Sequence, residues 1–182
     1  MKTTFLILGI LVSVLSVKGQ KKIDDFTLIG DSTNIFKSID EILKMKELQN
    51  HVVYADVWGT RCPPCLSEFK YVSELKKEFE NDSVVFLYLC SPYTMEWDTD
   101  NEKLWKELIV KNNLEGINML MSAECYEEGF FERYKDKYSE ERLYGIPTYL
   151  LIDKQGNIVN FNAPRPSSKE VLYKEIHALL DK

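Results

Sequence analysis

The feature that most constrains the fold is an almost continuous apolar run, HVVYADVW, at residues 51–58. Its β-branched and aromatic side chains are typical of a strand, and a strand without polar alternation is buried on both faces. The run SVVFLYLC at 83–90 has the same character. Because helices cover both faces of such a sheet, the two runs predict an α/β protein with a central sheet.

Helical periodicity lies between and after these strands. Apolar residues recur at steps of three and four over 62–80, and 101–112 is also amphipathic. A hairpin that turns at Gly156 comes later, and a closing helix is predicted to begin at a capping box of Ser167 and Glu170. The shorter predicted elements are strands at 26–30, 117–121, 148–153 and 158–161, and helices at 38–48 and 126–138.

This order of elements predicts one domain over residues 20–182. We expect an α/β fold with a central mixed β-sheet flanked by helices on both faces. The whole chain has 182 residues, which is enough for one ordinary hydrophobic core. The inner face of the closing helix is predicted to carry Val171, Leu172, Ile176 and Leu179.

Residues 1–19 have the composition of a signal peptide. Lys2 precedes an apolar run, and small residues stand just before Gln20. The run is short for a bilayer span, which needs about 20 residues, although an uncleaved anchor is the alternative. We therefore expect an exported protein at the extracytoplasmic face or in the periplasm of a bacterium, where disulfides persist. The net charge of −6 argues against nucleic acid as a partner.

Two of the four cysteines, Cys62 and Cys65, lie three positions apart at the predicted start of a helix. The helix dipole and its unpaired N–H groups favour a thiolate there, and Arg61 adds positive charge. Helical spacing brings the two sulfurs close enough to bridge. The pattern predicts a dithiol in which Cys62 attacks and Cys65 resolves, with Pro63 and Pro64 stiffening the loop.

Other uses of this pair are weaker. A zinc site needs further ligands, and Cys90, Cys125, His51 and His177 have no ligand spacing. A purely structural disulfide that closes so short a loop would add little stability. We predict no metal and no cofactor. Cys90 and Cys125 either form a second disulfide or remain as buried thiols.

Two longer motifs stand out, WGTRCPPC at 58–65 and GIPTYLLID at 145–153, the second of which is followed by KQGNIV. Together with the exported context, they resemble the thioredoxin-fold superfamily, and within it the exported TlpA/ResA-like thiol-disulfide oxidoreductases. The resemblance runs from about residue 24 to residue 180. It implies a thioredoxin-like fold and a redox-active dithiol enzyme. Its partners would be disulfide-containing exported proteins, which among relatives include apocytochromes, and a membrane electron donor.

The resemblance also implies roles for single residues. Pro147 matches the family's cis-proline, and Ile146 would offer backbone groups to an extended substrate peptide. Without that role, Pro147 only starts a strand. Trp58 would pack beside the active site, or it is simply part of the core.

Two acids have counterparts in the family. Asp56 matches the buried acid of thioredoxins, which is thought to take a proton from the inner cysteine. Glu68 matches the glutamate of a CxPCxxE motif that is typical of the ResA-like group. The alternatives are an Asp56 satisfied by backbone donors or a lysine, and a Glu68 exposed on its helix.

The chain departs from the family pattern at two positions. Arg61 replaces a tryptophan or small polar residue, and Gly59 replaces an alanine. For that reason the family's substrate choice is not carried over. Two prolines between the cysteines supply no side-chain donor to a thiolate, which favours a reductant. Arg61 argues modestly for the opposite direction.

Two other functions are weighed on the same fold. A thiol peroxidase would need a PxxxTxxC arrangement, which this sequence does not contain. A non-catalytic binding module would have little use for Cys62, Cys65 and Pro147. The sequence therefore favours an exported thiol-disulfide oxidoreductase that reduces disulfides of exported proteins.

Overall fold

A six-stranded sheet forms the centre of the protein. The structure is a computed structural model, and it describes residues 26–29, 36–93, 101–137 and 145–182. Within these ranges the sheet has the order β1-β4-β3-β2-β5-β6. Its strands are β1 (Phe26–Ile29), β2 (Val52–Trp58), β3 (Val84–Cys90), β4 (Gly116–Leu120), β5 (Thr148–Ile152) and β6 (Ile158–Asn160).

The sheet mixes parallel and antiparallel pairs. β1 pairs with β4, β4 with β3, and β3 with β2, all in parallel. β5 runs antiparallel to β2 and forms the predicted hairpin with β6. All seven residues of β2 are buried, which confirms the prediction of a strand covered on both faces. The predicted mixed sheet is therefore confirmed.

Helices cover the sheet on both faces. The α-helices are α1 (Ile39–Ile42), α2 (Pro63–Glu68), α3 (Val72–Glu78), α4 (Asn101–Asn112), α5 (Ala123–Tyr126) and α6 (Glu170–Leu180). Buried residues of α2, α3, α4 and α6 form one core, which we call the front core. Buried residues of α1, α5 and the π-helix Glu127–Glu132 form the back core on the other face. No helix in the described part of the chain is long and apolar enough to cross a membrane.

Two predicted helices are interrupted. The helix expected over 62–80 is divided into α2 and α3 by a 3₁₀ turn at Phe69–Tyr71. Apolar spacing alone does not detect such a turn, since Phe69 and Val72 remain buried across it. The helix expected over 38–48 ends at Ile42, and a separate 3₁₀ turn then buries Leu48.

The helix predicted at 126–138 starts earlier and changes its winding. Ser122 caps α5 by accepting a hydrogen bond from the Cys125 N–H at 3.1 Å, and the chain then widens into the π-helix. Gly129 in this π-helix touches the backbone of Lys37 and Ser38, where a Cβ atom would lie 2.1 Å from the Lys37 carbonyl oxygen. The change from α-helix to π-helix therefore occurs where Lys37 and Ser38 pack against this segment. Sequence periodicity does not report such a contact. Residue 138 lies outside the described ranges.

The predicted capping box of the last helix is wrong. Ser167 belongs to a 3₁₀ turn, Pro166–Ser168, and the helix is entered through Lys169 at a φ of 42°. Val171 was expected on the inner face, but its side chain is 59% exposed. The inner face is instead formed by Leu172, Tyr173, Ile176 and Leu179, which are buried. The predicted signal peptide, residues 1–19, lies outside the described residues.

Candidate active site

Cys62 and Cys65 lie where β2 ends and α2 begins, and they are joined by a disulfide. Cys62 is the N-cap of α2, and its Sγ accepts a hydrogen bond from the Cys65 N–H at 3.2 Å. Pro63 and Pro64 occupy the first two helical positions, where a backbone N–H would have no acceptor within the helix, so the prolines cost no helical hydrogen bond. Cys62 is 8% exposed, whereas Cys65 is completely buried. Of the two residues, only Cys62 therefore keeps any surface exposure.

The segment before β5 approaches Cys62 from the other side. The Ile146–Pro147 peptide bond is cis. The Ile146 carbonyl oxygen lies 3.7 Å from the Cys62 Sγ, although the two residues are 84 positions apart. Because β5 runs antiparallel to β2, its start reaches the same edge of the sheet as the end of β2. The sheet topology thus brings the two halves of the predicted site together.

Gly59 leaves room for Ile146. A Cβ atom built at residue 59 would lie 2.8 Å from the Cδ1 of Ile146 and 3.8 Å from the Cβ of Cys62. This close approach gives a physical reason for a glycine where the family usually has alanine.

The loop after β2 is held by a hydrogen bond between the buried Thr60 and the half-buried Asn101. The Thr60 hydroxyl donates to the Asn101 Oδ1 at 2.7 Å, and the Asn101 amide donates to the Pro92 carbonyl oxygen at 3.3 Å. Sequence reasoning did not single out Thr60 or Asn101. No local pattern marks them, since they are 41 positions apart.

Trp58, Arg61, Pro63 and Pro64 lie in different environments. Trp58 is completely buried and packs edge-to-face against Phe69, with ring centroids 5.0 Å apart. It is therefore part of the front core beneath the site and not a surface that a substrate could touch directly. Arg61 and the two prolines are exposed beside Cys62.

Asp56 lies in the middle of β2 and is only 1% exposed. Neither of its carboxylate oxygens has a hydrogen-bond partner among the described residues. The alternative in which backbone donors or a lysine satisfy this acid is therefore not seen. Burial raises the pKa of Asp56 well above its ordinary value, and the nearby charge of Glu68 raises it further.

Glu68 ends α2 and is also buried, so the alternative of an exposed helix glutamate is wrong. Its two carboxylate oxygens accept hydrogen bonds from the backbone N–H of Ser167 at 2.9 Å and from the Ser167 hydroxyl at 3.0 Å. The serine that sequence reasoning assigned to a helix cap instead fixes an acid 99 positions away. No sequence signal in a single chain identifies a contact of that separation.

Cys90 and Cys125 are not bonded to each other, so the alternative of two buried thiols is the observed one. They lie on opposite faces of the sheet, Cys90 in the front core and Cys125 in the back core. Burial raises the pKa of the Cys90 thiol, with a smaller opposing effect from the Thr60 backbone N–H. Cys90 therefore has little thiolate character. In the described part of the chain, no three histidine, cysteine or acidic side chains come together as metal ligands.

A mixed sheet, a CxxC pair at a helix N-cap and a cis-proline beside its first sulfur define a class, that of the thioredoxin-like proteins. The chain belongs to the Redoxin family, whose sequence profile matches residues 20–175. The resemblance inferred from the two motifs is thereby confirmed.

Several known proteins share this class. The thiol-disulfide oxidoreductase ResA of Bacillus cereus is 28% identical over 117 residues, which cover 64% of this chain and 57% of ResA. The ResA of Halalkalibacterium halodurans is 24% identical over 122 residues, which cover 65% of this chain and 57% of that protein. The chain thus matches little more than half the length of these curated relatives.

Solved structures give the same fold. The crystal structure of a protein assigned as a thiol-disulfide oxidoreductase of Bacteroides vulgatus is 28% identical, with a TM-score of 0.51, covering 72% of this chain and 80% of that one. A thiol-disulfide oxidoreductase of Bacteroides fragilis is 20% identical, with a TM-score of 0.51, covering 75% of this chain and 87% of that one. The predicted thioredoxin-like fold is therefore confirmed.

Proposed function

We propose that the protein is an exported thiol-disulfide oxidoreductase that reduces disulfide bonds of exported proteins with its Cys62–Cys65 dithiol. One observation carries the proposal. The Cys62 Sγ lies 3.2 Å from the Cys65 N and 3.7 Å from the Ile146 carbonyl oxygen, and Cys62 keeps a small exposed fraction of 8% whereas Cys65 has none. This arrangement provides an attacking sulfur, a place for a substrate backbone and a resolving sulfur in one site.

The exchange begins from the reduced dithiol. The Cys62 thiolate attacks one sulfur of the substrate disulfide, forms a mixed disulfide and releases the other substrate sulfur as a thiolate, which takes up a proton. Cys65 then loses its proton and attacks the Cys62 sulfur. The Cys62–Cys65 disulfide forms, and the second substrate sulfur leaves. Two electrons pass from the dithiol to the substrate. A second dithiol protein must then reduce the Cys62–Cys65 disulfide again.

Charge at Cys62 favours its role as the attacking sulfur. Cys62 is the N-cap, and its Sγ accepts a hydrogen bond from the Cys65 N–H. The same donor would stabilise a thiolate at this position. The exposed Arg61 adds positive charge nearby. Cys65 is wholly buried, so its thiol is protected until the mixed disulfide has formed.

The Ile146–Pro147 segment is the proposed docking edge. An extended substrate strand would pair with the backbone of Ile146 and place its disulfide against the Cys62 sulfur. Pro63, Pro64 and Arg61 would border the substrate on the opposite side, since they are exposed on the loop and the first turn of α2.

Asp56 is the proposed acceptor of the Cys65 proton. A general base works best when its pKa lies near the working pH, and burial raises the pKa of this carboxyl well above its ordinary value. Glu68 contributes through its charge, which raises the Asp56 pKa further and is held in place by Ser167.

The reducing direction is proposed from the residues between the cysteines. Pro63 and Pro64 provide no side-chain hydrogen bond to a thiolate, so the dithiol form is not strongly stabilised. We expect a reduction potential near that of thioredoxin, about −270 mV, and not near that of the oxidant DsbA, about −120 mV. A membrane electron donor is proposed as the source of electrons. Export is proposed from the leader-like composition of residues 1–19.

Insulin reduction with dithiothreitol as the electron source tests this function. The wild-type chain should accelerate insulin precipitation, and Cys62→Ser should return it to the uncatalysed rate because the attacking sulfur is lost. Cys90→Ser is the matched control, since Cys90 is a buried thiol outside the pair. Undiminished turnover by Cys62→Ser would show that the chemistry is elsewhere.

A trapping experiment names the substrate. Cys65→Ser cannot resolve the mixed disulfide, so it should accumulate partners that a reducing agent releases. Periplasmic extract from a bacterial host is the sample, and Cys62→Ser/Cys65→Ser is the control that should trap nothing.

A further inference from the structure

A row of polar side chains crosses the centre of the sheet. Asn118 on β4, Tyr88 on β3, Asp56 on β2 and Tyr149 on β5 are successive cross-strand partners. Residues directly opposite each other on neighbouring strands share one face of the sheet. We call these four residues the polar row. The polar row lies on the front-core face of the sheet, because two of its members, Tyr88 and Tyr149, belong to the front core.

Every member of the polar row is buried, with relative exposures of 0–4%. Each also has a buried oxygen without a hydrogen-bond partner among the described residues. These oxygens are both carboxylate oxygens of Asp56, the hydroxyls of Tyr88 and Tyr149, and the Oδ1 of Asn118. Buried polar atoms are seldom left without a partner, and internal water usually provides one where protein does not. Five such atoms in adjoining side chains therefore need partners that the described protein groups do not provide.

The two phenols lie within electrostatic reach of the carboxyl. Burial raises the pKa of Tyr88 and Tyr149, and the charge of Asp56 is the next cause in both. No lysine or arginine of the described chain donates a hydrogen bond to Asp56, because neither of its oxygens is bonded. Glu68, Glu115 and Arg165 also act electrostatically on members of the row, and the row in turn acts on Tyr54 and Cys90. Cys65, the other buried group of the proposed reaction, belongs to the same core.

We infer that Tyr88 and Tyr149 hold internal water against Asp56, and that this hydration, rather than a protein cation, allows the buried carboxyl to ionise. The two tyrosines are thus positioning residues, which act on the thiol chemistry only through Asp56. The link to catalysis rests on the proposed function, whereas the binding of water and its effect on the carboxyl do not.

Tyr54 provides a matched control within the same cluster. It lies on β2 two residues before Asp56 and stacks on Tyr149, with ring centroids 5.7 Å apart and planes 4° from parallel. Its hydroxyl, however, donates to the Pro164 carbonyl oxygen at 2.8 Å. Replacing Tyr54 by phenylalanine removes a neighbouring phenol hydroxyl that already has a protein partner.

The test is a carboxyl titration by NMR, with ¹³C-labelled aspartate in the full chain. Asp56→Asn assigns the Asp56 signal by its loss. Tyr88→Phe and Tyr149→Phe should each raise the titration midpoint of Asp56 by at least about 0.5 pH unit, because donors to the charged form are lost. The double variant should raise it by about 1 unit, a tenfold change in the ionisation constant. Tyr54→Phe should leave the midpoint within about 0.2 unit of wild type.

An unchanged midpoint in the double variant, or an equal rise in Tyr54→Phe, would overturn the inference. A second measurement needs no variant. A crystal structure of the wild-type chain that resolves internal water should show at least one molecule within hydrogen-bond distance of both Asp56 and a phenol hydroxyl of the row. A dry row would overturn the inference even if the tyrosine variants did not fold.

The two proposals fail in different ways. If the polar row were dry, insulin reduction would still depend on Cys62. If Cys62→Ser retained full turnover, the thiol assignment would fail, but the Asp56 titration would still respond to Tyr88 and Tyr149.

Discussion

At the scale of single residues, the contact between Gly59 and Ile146 links the two segments of the candidate site. Gly59 follows the last residue of β2, and Ile146 precedes the cis-proline. The neighbour that a Cβ atom would meet is the end of a side chain, the Cδ1 of Ile146, and not backbone. The glycine at 59 therefore leaves room for an isoleucine at the proposed docking edge.

Gly59→Ala should lower the free energy of unfolding by about 1 kcal/mol, the low end of the cost of overpacking, because the Cδ1 end of Ile146 can move aside. Ile146→Val removes the Cδ1 atom and should cancel most of that loss in the double variant. Urea denaturation of the two single variants and the double variant measures the coupling. Additive losses would mean that this contact does not explain the glycine.

At the scale of elements, Ser167 joins the turn before α6 to the end of α2. Both of its hydrogen bonds go to Glu68, and Glu68 is buried. α6 is therefore connected to the helix that carries the two cysteines by a polar contact as well as by the front core.

Ser167→Ala removes one of the two bonds to a buried carboxylate and should lower the free energy of unfolding by about 1.5–3 kcal/mol. Ser168→Ala, in the same turn, is the control and should change it by less than about 0.5 kcal/mol. Thermal and urea unfolding at neutral pH measure both. If Ser167→Ala lowered the free energy of unfolding by the same amount in a Glu68→Gln background, the hydrogen bond to Glu68 would not be the cause of that loss.

The back face depends on another close approach, at Gly129 in the π-helix. A Cβ atom there would lie 2.1 Å from the Lys37 carbonyl oxygen and 2.6 Å from the Ser38 Cα, and both are backbone atoms. Since backbone cannot move aside as a side-chain end can, the two segments must separate if a side chain is added.

Gly129→Ala should accordingly destabilise the protein by more than about 3 kcal/mol, the upper range for overpacking. Glu128→Ala, at the exposed neighbouring position, should change stability by about 0.5 kcal/mol or less. Circular dichroism during thermal unfolding distinguishes the two variants. A Gly129→Ala protein as stable as the wild type would show that the segments are not in close contact.

At the scale of the whole molecule, the burial of Asp56 connects the candidate site to global stability. Its pKa is raised above the ordinary value of 3.8, chiefly by burial and then by Glu68. Between 3.8 and the raised value, the folded chain binds more protons than the unfolded chain. Stability is therefore fully present below 3.8 and is lost as the pH rises toward the raised pKa.

Asp56→Asn removes this titration. The variant should become more stable than the wild type as the pH rises above about 4, by up to about 1.4 kcal/mol for each unit of raised pKa. Urea unfolding from pH 4 to pH 9 measures the difference, and Glu47→Gln is a control at an exposed acid. A constant difference across that range would contradict a raised pKa for Asp56.

The elements that sequence predicts well are those with a strong local pattern. The apolar runs of β2 and β3, the amphipathic α4 and the hairpin at Gly156 were predicted close to their observed bounds. Their hydrophobic periodicity follows from burial that each segment requires by itself. The predicted capping box at Ser167 and the single helix over 62–80 were wrong, because each local pattern was overruled by a contact or turn that packing imposes.

The class of fold and the pair of cysteines could be predicted from the amino-acid order alone, since an apolar strand, a CxxC at the next helix start and a distant Ile-Pro motif are each recognisable locally. Which distant groups meet depends on the packing of the folded chain. It placed the Ile146 carbonyl against Cys62 and Ser167 against Glu68. It also aligned Asp56 with Tyr88 and Tyr149. The reason is physical: strand register and helix packing minimise the free energy of the whole chain, and no local stretch contains that information.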